Sequence, residues 1–128
     1  MGKFRELRVW QDALDLAESI YRLTTKEPLS RDFGLRNQMQ KAAVSVASNI
    51  SEGDERSSIK ESIYFFSIAK GSVAEVITQL IIAYRIGYID DESFIDLEDQ
   101  AERIRASLKN LILKRSKFKT WKRTSSDQ

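Results

Sequence analysis

The chain has 128 residues, of which 41% are hydrophobic and 31% charged, and its formal net charge is +2. This composition is typical of one soluble globular domain, and a single proline with five glycines disfavours a loop-rich β architecture. The chain lacks cysteine and histidine, which excludes disulfides, thiolate nucleophiles, zinc–thiolate sites and all catalysis that depends on imidazole. We therefore expect an all-α protein that is not an enzyme and needs neither a metal nor another cofactor.

The N-terminal segment carries charges throughout and lacks the apolar core of a signal peptide, as the letters MGKFRELRVWQD show. No uninterrupted apolar run approaches the roughly 20 residues that a membrane-spanning helix needs. We therefore expect a cytoplasmic protein without a membrane partner.

Two helices are predicted in the first part of the chain, over residues 9–25 and 33–52. The first has apolar side chains at a spacing of three and four, with acidic residues on its opposite side. Pro28 separates the two helices because proline disfavours helical geometry at the residue before it, and Ser30 or Asp32 can cap the second. Small residues fill the middle of the second helix, KAAVSVASN, and indicate close packing against a bulky neighbour.

The longest apolar helix is predicted over residues 59–86, and the rest of the chain is organised around it. Gly53 is expected to end helix two, Ser57 or Ser58 to cap helix three, and Gly87 to end it. The letters SIKE that begin at Ser58 have the spacing of a capping box. Apolar residues cover so much of this helix that we expect neighbours on several sides, including a second subunit.

A fourth helix is predicted to begin at Asp90 or Asp91 and to continue to Leu113. Its apolar positions repeat in three-four order, at Phe94, Leu97, Ala101, Ile104, Leu108 and Leu111. Four helices with short connections predict an up-down-up-down antiparallel four-helix bundle over residues 1–113. A basic, disordered tail is expected over residues 114–128.

Charge is distributed unevenly, because residues 114–128 carry six basic side chains and one acidic, whereas residues 1–113 carry fifteen basic and eighteen acidic. Basic side chains of the tail can neutralise phosphates, and its aromatic rings can stack on unpaired bases. The predicted nucleic-acid-binding residues are Arg5, Arg8, Lys114, Arg115, Lys117, Phe118, Lys119, Trp121, Lys122 and Arg123. The alternatives are a tail that only improves solubility, or one that binds an acidic protein or a membrane surface.

A second group of residues is predicted to be structural, and comprises Asn49, Glu52, Gly53, Lys70, Gly71, Ser72 and Glu75. Glu52 and Glu75 are expected to be half-buried and to form polar pairs that fix the helix register. Metal sites in helical bundles usually include Glu-x-x-His pairs, so the absence of histidine disfavours a metal site. Gly71 is expected at a close helix crossing, since glycine is unfavourable inside a helix.

Four segments stand out together once the helices are placed. They are FRELRVWQDA at residues 4–13, FGLRNQMQKAAVSVASNISEG at 33–53, RSSIKESIYFFSIAKGSVAEV at 56–76 and AYRIGYI at 83–89. In this order and spacing they resemble the four-helix-bundle family of proteins encoded in intervening sequences of the large-subunit ribosomal RNA. The resemblance covers residues 4–113. It differs from the family's usual pattern at Ala47, where a proline is common, so a proline kink in helix two is not expected.

The resemblance implies a homo-oligomeric ring, typically a pentamer, without enzymatic activity. The family is also similar to the basic, pentameric accessory proteins of diversity-generating retroelements, which associate with nucleic acid and a reverse transcriptase. Our leading hypothesis is therefore an oligomeric scaffold that binds structured RNA or DNA through the phosphate backbone. The alternative is a protein–protein adaptor that makes no direct contact with nucleic acid.

Overall fold

The computed structural model describes the backbone of residues 3–126 and the side chains of residues 3–117. This part of the chain forms four α-helices, α1 (Arg8–Thr24), α2 (Phe33–Glu55), α3 (Ile59–Arg85) and α4 (Asp91–Ser126), with short 3-10 helices at Phe4–Glu6 and Leu29–Arg31. The described residues contain no strand, so the predicted all-α class is confirmed. Each helix begins within one residue of its predicted start.

The caps of α2, α3 and α4 follow the sequence prediction. Asp32 accepts a 3.1 Å hydrogen bond from the backbone N–H of Leu35, which satisfies a donor at the start of α2. Ser58 accepts a 3.1 Å bond from the N–H of Glu61 at the start of α3. Asp90 accepts a 2.7 Å bond from the N–H of Ser93 at the start of α4. These bonds identify Asp32, Ser58 and Asp90 as the N-caps, where the sequence had left Ser30, Ser57 and Asp91 as alternatives.

The end of α3 is also as predicted. Gly87 has φ +84°, a left-handed conformation that side chains with a Cβ rarely adopt. The N–H of Gly87 donates to the carbonyl of Tyr84 at 3.0 Å, and the N–H of Tyr88 donates to that of Ala83 at 2.8 Å. This pair of bonds is a Schellman motif, which closes the last turn of a helix.

The prediction that Gly53 ends α2 is wrong, because the helix continues to Glu55. Gly53 is buried, and a Cβ at this position would lie 2.7 Å from two ring carbons of Phe66. The hydroxyl of Ser62 donates a 2.6 Å hydrogen bond to the Gly53 carbonyl. Glycine therefore stands here because it lets α3 approach α2 closely, and not because the chain needs a left-handed turn.

The centre of the fold is α3, which packs on α2 and α4, while α1 packs on α2 and α4. Three hydrogen bonds join α2 and α3, between residues 53 and 62, 45 and 72, and 38 and 79. Numbers fall along one helix as they rise along the other, so these two helices run antiparallel. The largest side chains that are fully buried come from all four helices and the 3-10 segment Leu29–Arg31: Phe66, Leu16, Ile20, Leu29, Met39, Ile50, Leu80, Ile104 and Leu108.

By length and composition alone, α3 could cross a membrane. In the fold, however, Phe66, Val73 and Leu80 are fully buried among the other helices. The core helix of a soluble protein meets the same criterion, because it too is apolar over much of its surface. Lys70 and Glu75 interrupt the apolar sequence of α3 near its middle.

The backbone of α4 is helical to Ser126, whereas the sequence analysis expected helical order to fail after Leu113. No glycine or proline follows Leu113, and the lysines and arginines of this segment are good helix formers. Arg115 also occupies the position that follows Leu108 and Leu111 in the three-four repeat. The domain boundary at residue 113 and the expected disorder of the tail both stay predictions.

Candidate functional site

Arg5 and Arg8 lie at the start of the chain, next to a pair of aromatic rings. The rings of Phe4 and Trp10 meet edge to face with centroids 5.2 Å apart, which anchors the N-terminal segment on α1. Gln11 donates a 2.9 Å hydrogen bond to the carbonyl of Arg5. Both arginine side chains are exposed, and Arg8 forms a 3.2 Å ion pair with Asp12. This surface pair is weak in water, so Arg8 can exchange its partner at little cost.

An open groove of about 650 Å³ lies between α1 and α4. It is lined by Arg8, Asp12 and Asp15 of α1 together with residues of α4 that include Arg103 and Ser107. The two arginines and two aspartates balance in charge. This groove therefore offers little electrostatic attraction for an anion.

The tail residues with described side chains differ in their surroundings. Lys114 and Lys117 are exposed, whereas a guanidinium nitrogen of Arg115 lies 3.1 Å from a carboxylate oxygen of Asp54. The Asp54 side chain is only 7% exposed, and the guanidinium carbon of Arg115 is 5.3 Å from the ring centroid of Phe66. Because Arg115 pairs with Asp54 inside the protomer, it is less available to contact phosphate than Lys114 and Lys117 are.

The remaining predicted tail residues are Phe118, Lys119, Trp121, Lys122 and Arg123. Their side chains lie outside the described residues, although the helical backbone of α4 includes these positions. Their predicted role in binding nucleic acid stays a prediction.

The residues predicted to form one polar cluster separate into two groups. Asn49 donates 2.9 Å and 3.0 Å bonds to the carbonyl and hydroxyl of Ser45, and that hydroxyl lies 2.9 Å from the hydroxyl of Ser72. Ser45 therefore links Asn49 on α2 to Ser72 on α3, although the sequence analysis did not single it out. The signal was available, because Ser45 precedes Asn49 by one helical turn on the same side of α2.

Glu52 and Glu75 do not belong to this linked group. Both are exposed, contrary to the expected half-burial, and Glu52 pairs with Arg56 at 2.7 Å. Gly71 is also exposed, and a Cβ built there would meet no atom within 4 Å. The close helix crossing expected at Gly71 is therefore absent within the described protomer. Gly53 provides that crossing instead.

A second groove beside α4 faces α3 and has a volume of about 290 Å³. It is lined by Lys70 of α3 and by Glu102, Arg105, Ala106 and Lys109 of α4. Arg105 forms a 3.0 Å ion pair with Glu102, and Lys70 is half-buried. Three cations thus share this groove with one carboxylate. From the sequence, Lys70 was predicted to have only a structural role, and Arg105 and Lys109 were not among the predicted site residues.

The end of the bundle at which α4 begins is acidic. Asp91, Glu92, Asp96 and Asp99 surround a shallow depression of about 830 Å³ at the start of α4. A 2.7 Å hydrogen bond from the Tyr84 hydroxyl to Asp91, with the charge of that carboxylate, raises the pKa of Tyr84. No group of three or more acidic side chains in the described part of the chain is arranged to hold a metal ion.

Two further hydrogen bonds shift pKa values at the same end. The Tyr88 hydroxyl donates a 3.1 Å bond to Asp32, which raises the pKa of Tyr88, and burial adds to the effect. The backbone N–H of Ser93 lowers the pKa of Asp90 by stabilising its carboxylate. Each shift is explained by a helix cap or a contact between helix ends, and these groups give no sign of an acid–base pair.

Comparisons with known proteins agree with this fold. A family model described as 23S rRNA-intervening sequence protein matches residues 5–110. A solved structure from Bacteroides thetaiotaomicron, of a protein with unknown function from the S23 ribosomal protein family, has a TM-score of 0.76 and 23% identity over 81% of this chain and 97% of that one. At this identity the likeness shows the fold alone. No curated protein matches the chain. The family match confirms the resemblance found in the sequence, and the chain belongs to the 23S rRNA-intervening sequence protein family.

Proposed function

We propose that the protein is a non-enzymatic, homo-oligomeric, cytoplasmic scaffold that binds structured RNA or DNA through the phosphate backbone. The observation that supports this best is the separation of charge along the bundle. Exposed cations that include Arg5, Arg8, Lys114 and Lys117 lie towards one end, and the acidic start of α4 lies at the other. Such a charge distribution steers a polyanion to one end of the protein.

In our proposal the four helices form an up-down-up-down antiparallel bundle. The α2–α3 hydrogen bonds support it for the central pair. The stacked rings of Tyr84 and Phe94, with centroids 4.4 Å apart, join the end of α3 to the start of α4. A 2.9 Å hydrogen bond from Gln40 to Thr24 joins the first half of α2 to the end of α1. Both contacts are those expected between antiparallel neighbours with short connections.

Exposed residues of α3 support the proposed homo-oligomer. Tyr64, Ile68, Gly71, Glu75 and Ile82 follow each other at intervals of three, four and seven, and we name them the outer stripe of α3. Tyr64 is 62% exposed and Ile82 is 45% exposed. Subunits that meet along this stripe would bury apolar surface that one protomer leaves in water. A ring of five, as in members of the family that form rings, would also bring several basic ends together.

The test is fluorescence anisotropy of a labelled RNA hairpin and a labelled single-stranded DNA at several salt concentrations. The variant carries glutamine at five tail positions, namely 114, 117, 119, 122 and 123, and retains Arg115 because its partner Asp54 is nearly buried. We expect the full chain to bind more weakly as salt rises, since phosphate binding releases counterions. The variant should lose most of this binding.

A matched control carries glutamine at Arg22, Lys26, Arg31, Lys41 and Arg85, which are exposed cations away from the basic end. It has the same change in net charge, and we expect it to bind nearly as well as the unchanged chain. Equal losses in both variants would indicate that only the net charge matters. No binding by the full chain at low salt would contradict the proposal.

A protein–protein adaptor is the second candidate, and exposed apolar residues at the acidic end support it. Ile86 is 54% exposed and Ile95 is 65% exposed, and acidic side chains surround Ile95. Binding through such a surface depends less on salt than phosphate binding does, because apolar contact releases few ions. An adaptor would therefore retain its partner at salt concentrations that release nucleic acid.

A further inference from the structure

We propose that the groove between α3 and α4, lined by Lys70, Arg105 and Lys109, binds a phosphate of the nucleic-acid backbone. This inference rests on the proposed function and adds to it a second contact, one that lies on the body of the bundle. Of four concavities that described residues line, this groove is the one in which cations outnumber carboxylates.

The other concavities show why this one is distinctive. The groove between α1 and α4 balances Arg8 and Arg103 against Asp12 and Asp15. The depression at the start of α4 is lined by carboxylates without a cation. A fourth groove of about 260 Å³, beside Trp10, is lined by apolar residues and serines. Of these four concavities, all lined by described residues, only the α3–α4 groove has an excess of positive charge that attracts an anion.

Two of the three cations in the groove have no carboxylate partner. Arg105 pairs with Glu102 at 3.0 Å, but no ion pair joins Lys70 or Lys109 to a carboxylate among the described residues. Arg105 and Lys109 are also four residues apart on α4, where like charges face each other and repel. A phosphate bound between them and Lys70 would remove this repulsion.

The geometry of the groove suits a backbone phosphate. Lys70 is half-buried and lines the groove, so part of its stem packs against neighbouring residues. Glu102 accepts bonds from two guanidinium nitrogens of Arg105, at 3.2 Å and 3.0 Å, and this exposed pair orients the guanidinium only weakly. Arg105 retains further N–H donors for a phosphate oxygen, since a guanidinium carries five.

The groove also lies in line with the basic end of α4. The groove lies on the helix whose backbone continues to Ser126, through the basic segment of the sequence. Lys109 precedes Lys114, the first cation of that segment, by about 8 Å along the helix axis.

The test compares two full-length double variants, Lys70→Gln with Lys109→Gln, and Lys26→Gln with Lys41→Gln as the control of equal charge. Both are titrated against the labelled RNA hairpin across salt by anisotropy. We expect the groove variant to bind about tenfold more weakly at low salt. Its plot of log affinity against log salt should be less steep by about one, because one phosphate contact is lost. The control should remain within about twofold of the unchanged chain.

The outcomes separate this inference from the proposed function. If the unchanged chain binds the hairpin and the groove variant binds as well as the control, the groove inference is wrong and the proposed function stands. If the unchanged chain binds neither probe, both are wrong. Lys109→Glu is a second variant, and we expect it to fold normally because Lys109 is exposed. It should weaken binding in the same direction, and unchanged binding would overturn the inference.

Discussion

Gly53 on α2 and Gly71 on α3 are equally unfavourable residues inside a helix, but Gly53 is buried and Gly71 is exposed. A Cβ at Gly53 would lie 2.7 Å from ring carbons of Phe66 and 3.0 Å from the carbonyl oxygen of Ser62, whereas a Cβ at Gly71 would meet nothing within 4 Å. Each glycine costs its helix about 1 kcal/mol relative to alanine. At Gly53 the close packing of α3 offsets this cost. At Gly71 no contact within the protomer does so.

Residues around Gly53 connect α2, α3 and α4. Phe66 of α3 is fully buried and lies against Gly53 of α2, and Arg115 of α4 lies over its ring while it pairs with Asp54. We name these four residues the Gly53 joint. A glycine inside a helix therefore marks a contact that excludes a methyl group at Gly53, but an open surface at Gly71.

The largest expected effect is that of Gly53→Ala. The added methyl group would clash with the buried ring of Phe66 and with the backbone of Ser62, neither of which is free to move away. We expect the free energy of unfolding to fall by about 1–3 kcal/mol, as for other overpacked cores, despite the better helix propensity of alanine. Urea denaturation followed by circular dichroism measures the change.

Gly34→Ala is the matched control, because Gly34 is exposed on the same helix and its Cβ would lie 3.8 Å from Asp32, an ordinary contact. It should be neutral or slightly stabilising. Adding Phe66→Leu to Gly53→Ala should give a loss smaller than the sum of the two single losses, since both changes act on one contact. Strictly additive losses would contradict the close packing at Gly53.

A smaller loss is expected from Arg115→Met, which keeps an apolar stem beside Phe66 but removes the charge. Asp54, only 7% exposed, would lose its ion-pair partner, and the hydrogen bond to a charged group is worth about 1.5–3 kcal/mol. Because Arg115 is itself 31% exposed, solvent screens the pair and the lower part of this range is expected. Thermal unfolding measures the loss.

Lys117→Met serves as the control for Arg115→Met, since Lys117 is exposed and should change stability little. If the two variants were equally stable, the ion pair would not hold α4 to the Gly53 joint. Adding Asp54→Asn to Arg115→Met should recover part of the lost stability, because the buried charge is then removed as well.

The sequence predicted the local features of the fold well and the contacts between distant residues poorly. The caps at Asp32, Ser58 and Asp90 depend on residues within one turn, so spacing alone identified them. The role of Gly53 depends on Phe66, thirteen residues away on another helix. No local pattern distinguishes that role from a helix end.

The candidate site was predictable to a similar extent. Basic composition identified Lys114 and Lys117 as exposed cations, but it also included Arg115, whose partner Asp54 is 61 residues away. The three-four repeat of α4, continued past Leu111, would have placed Arg115 on the inward side. The α3–α4 groove was missed because Lys70 and Lys109 become neighbours only when the two helices pack.

The smallest expected effect is that of Gly71→Ala, and it tests whether the outer stripe of α3 is a subunit contact. In the isolated protomer alanine meets open space, so we expect unfolding at the lowest protein concentration to require about 1 kcal/mol more. If subunits meet along the stripe, the methyl group would separate their helices, and the gain should shrink as the protein concentration rises and the oligomer forms. Sedimentation velocity on the same samples should then show weaker association than in the unchanged chain.

A gain that is equal at all concentrations, with unchanged sedimentation, would place the subunit contact elsewhere. A loss of stability at the lowest concentration would contradict the open surroundings of Gly71.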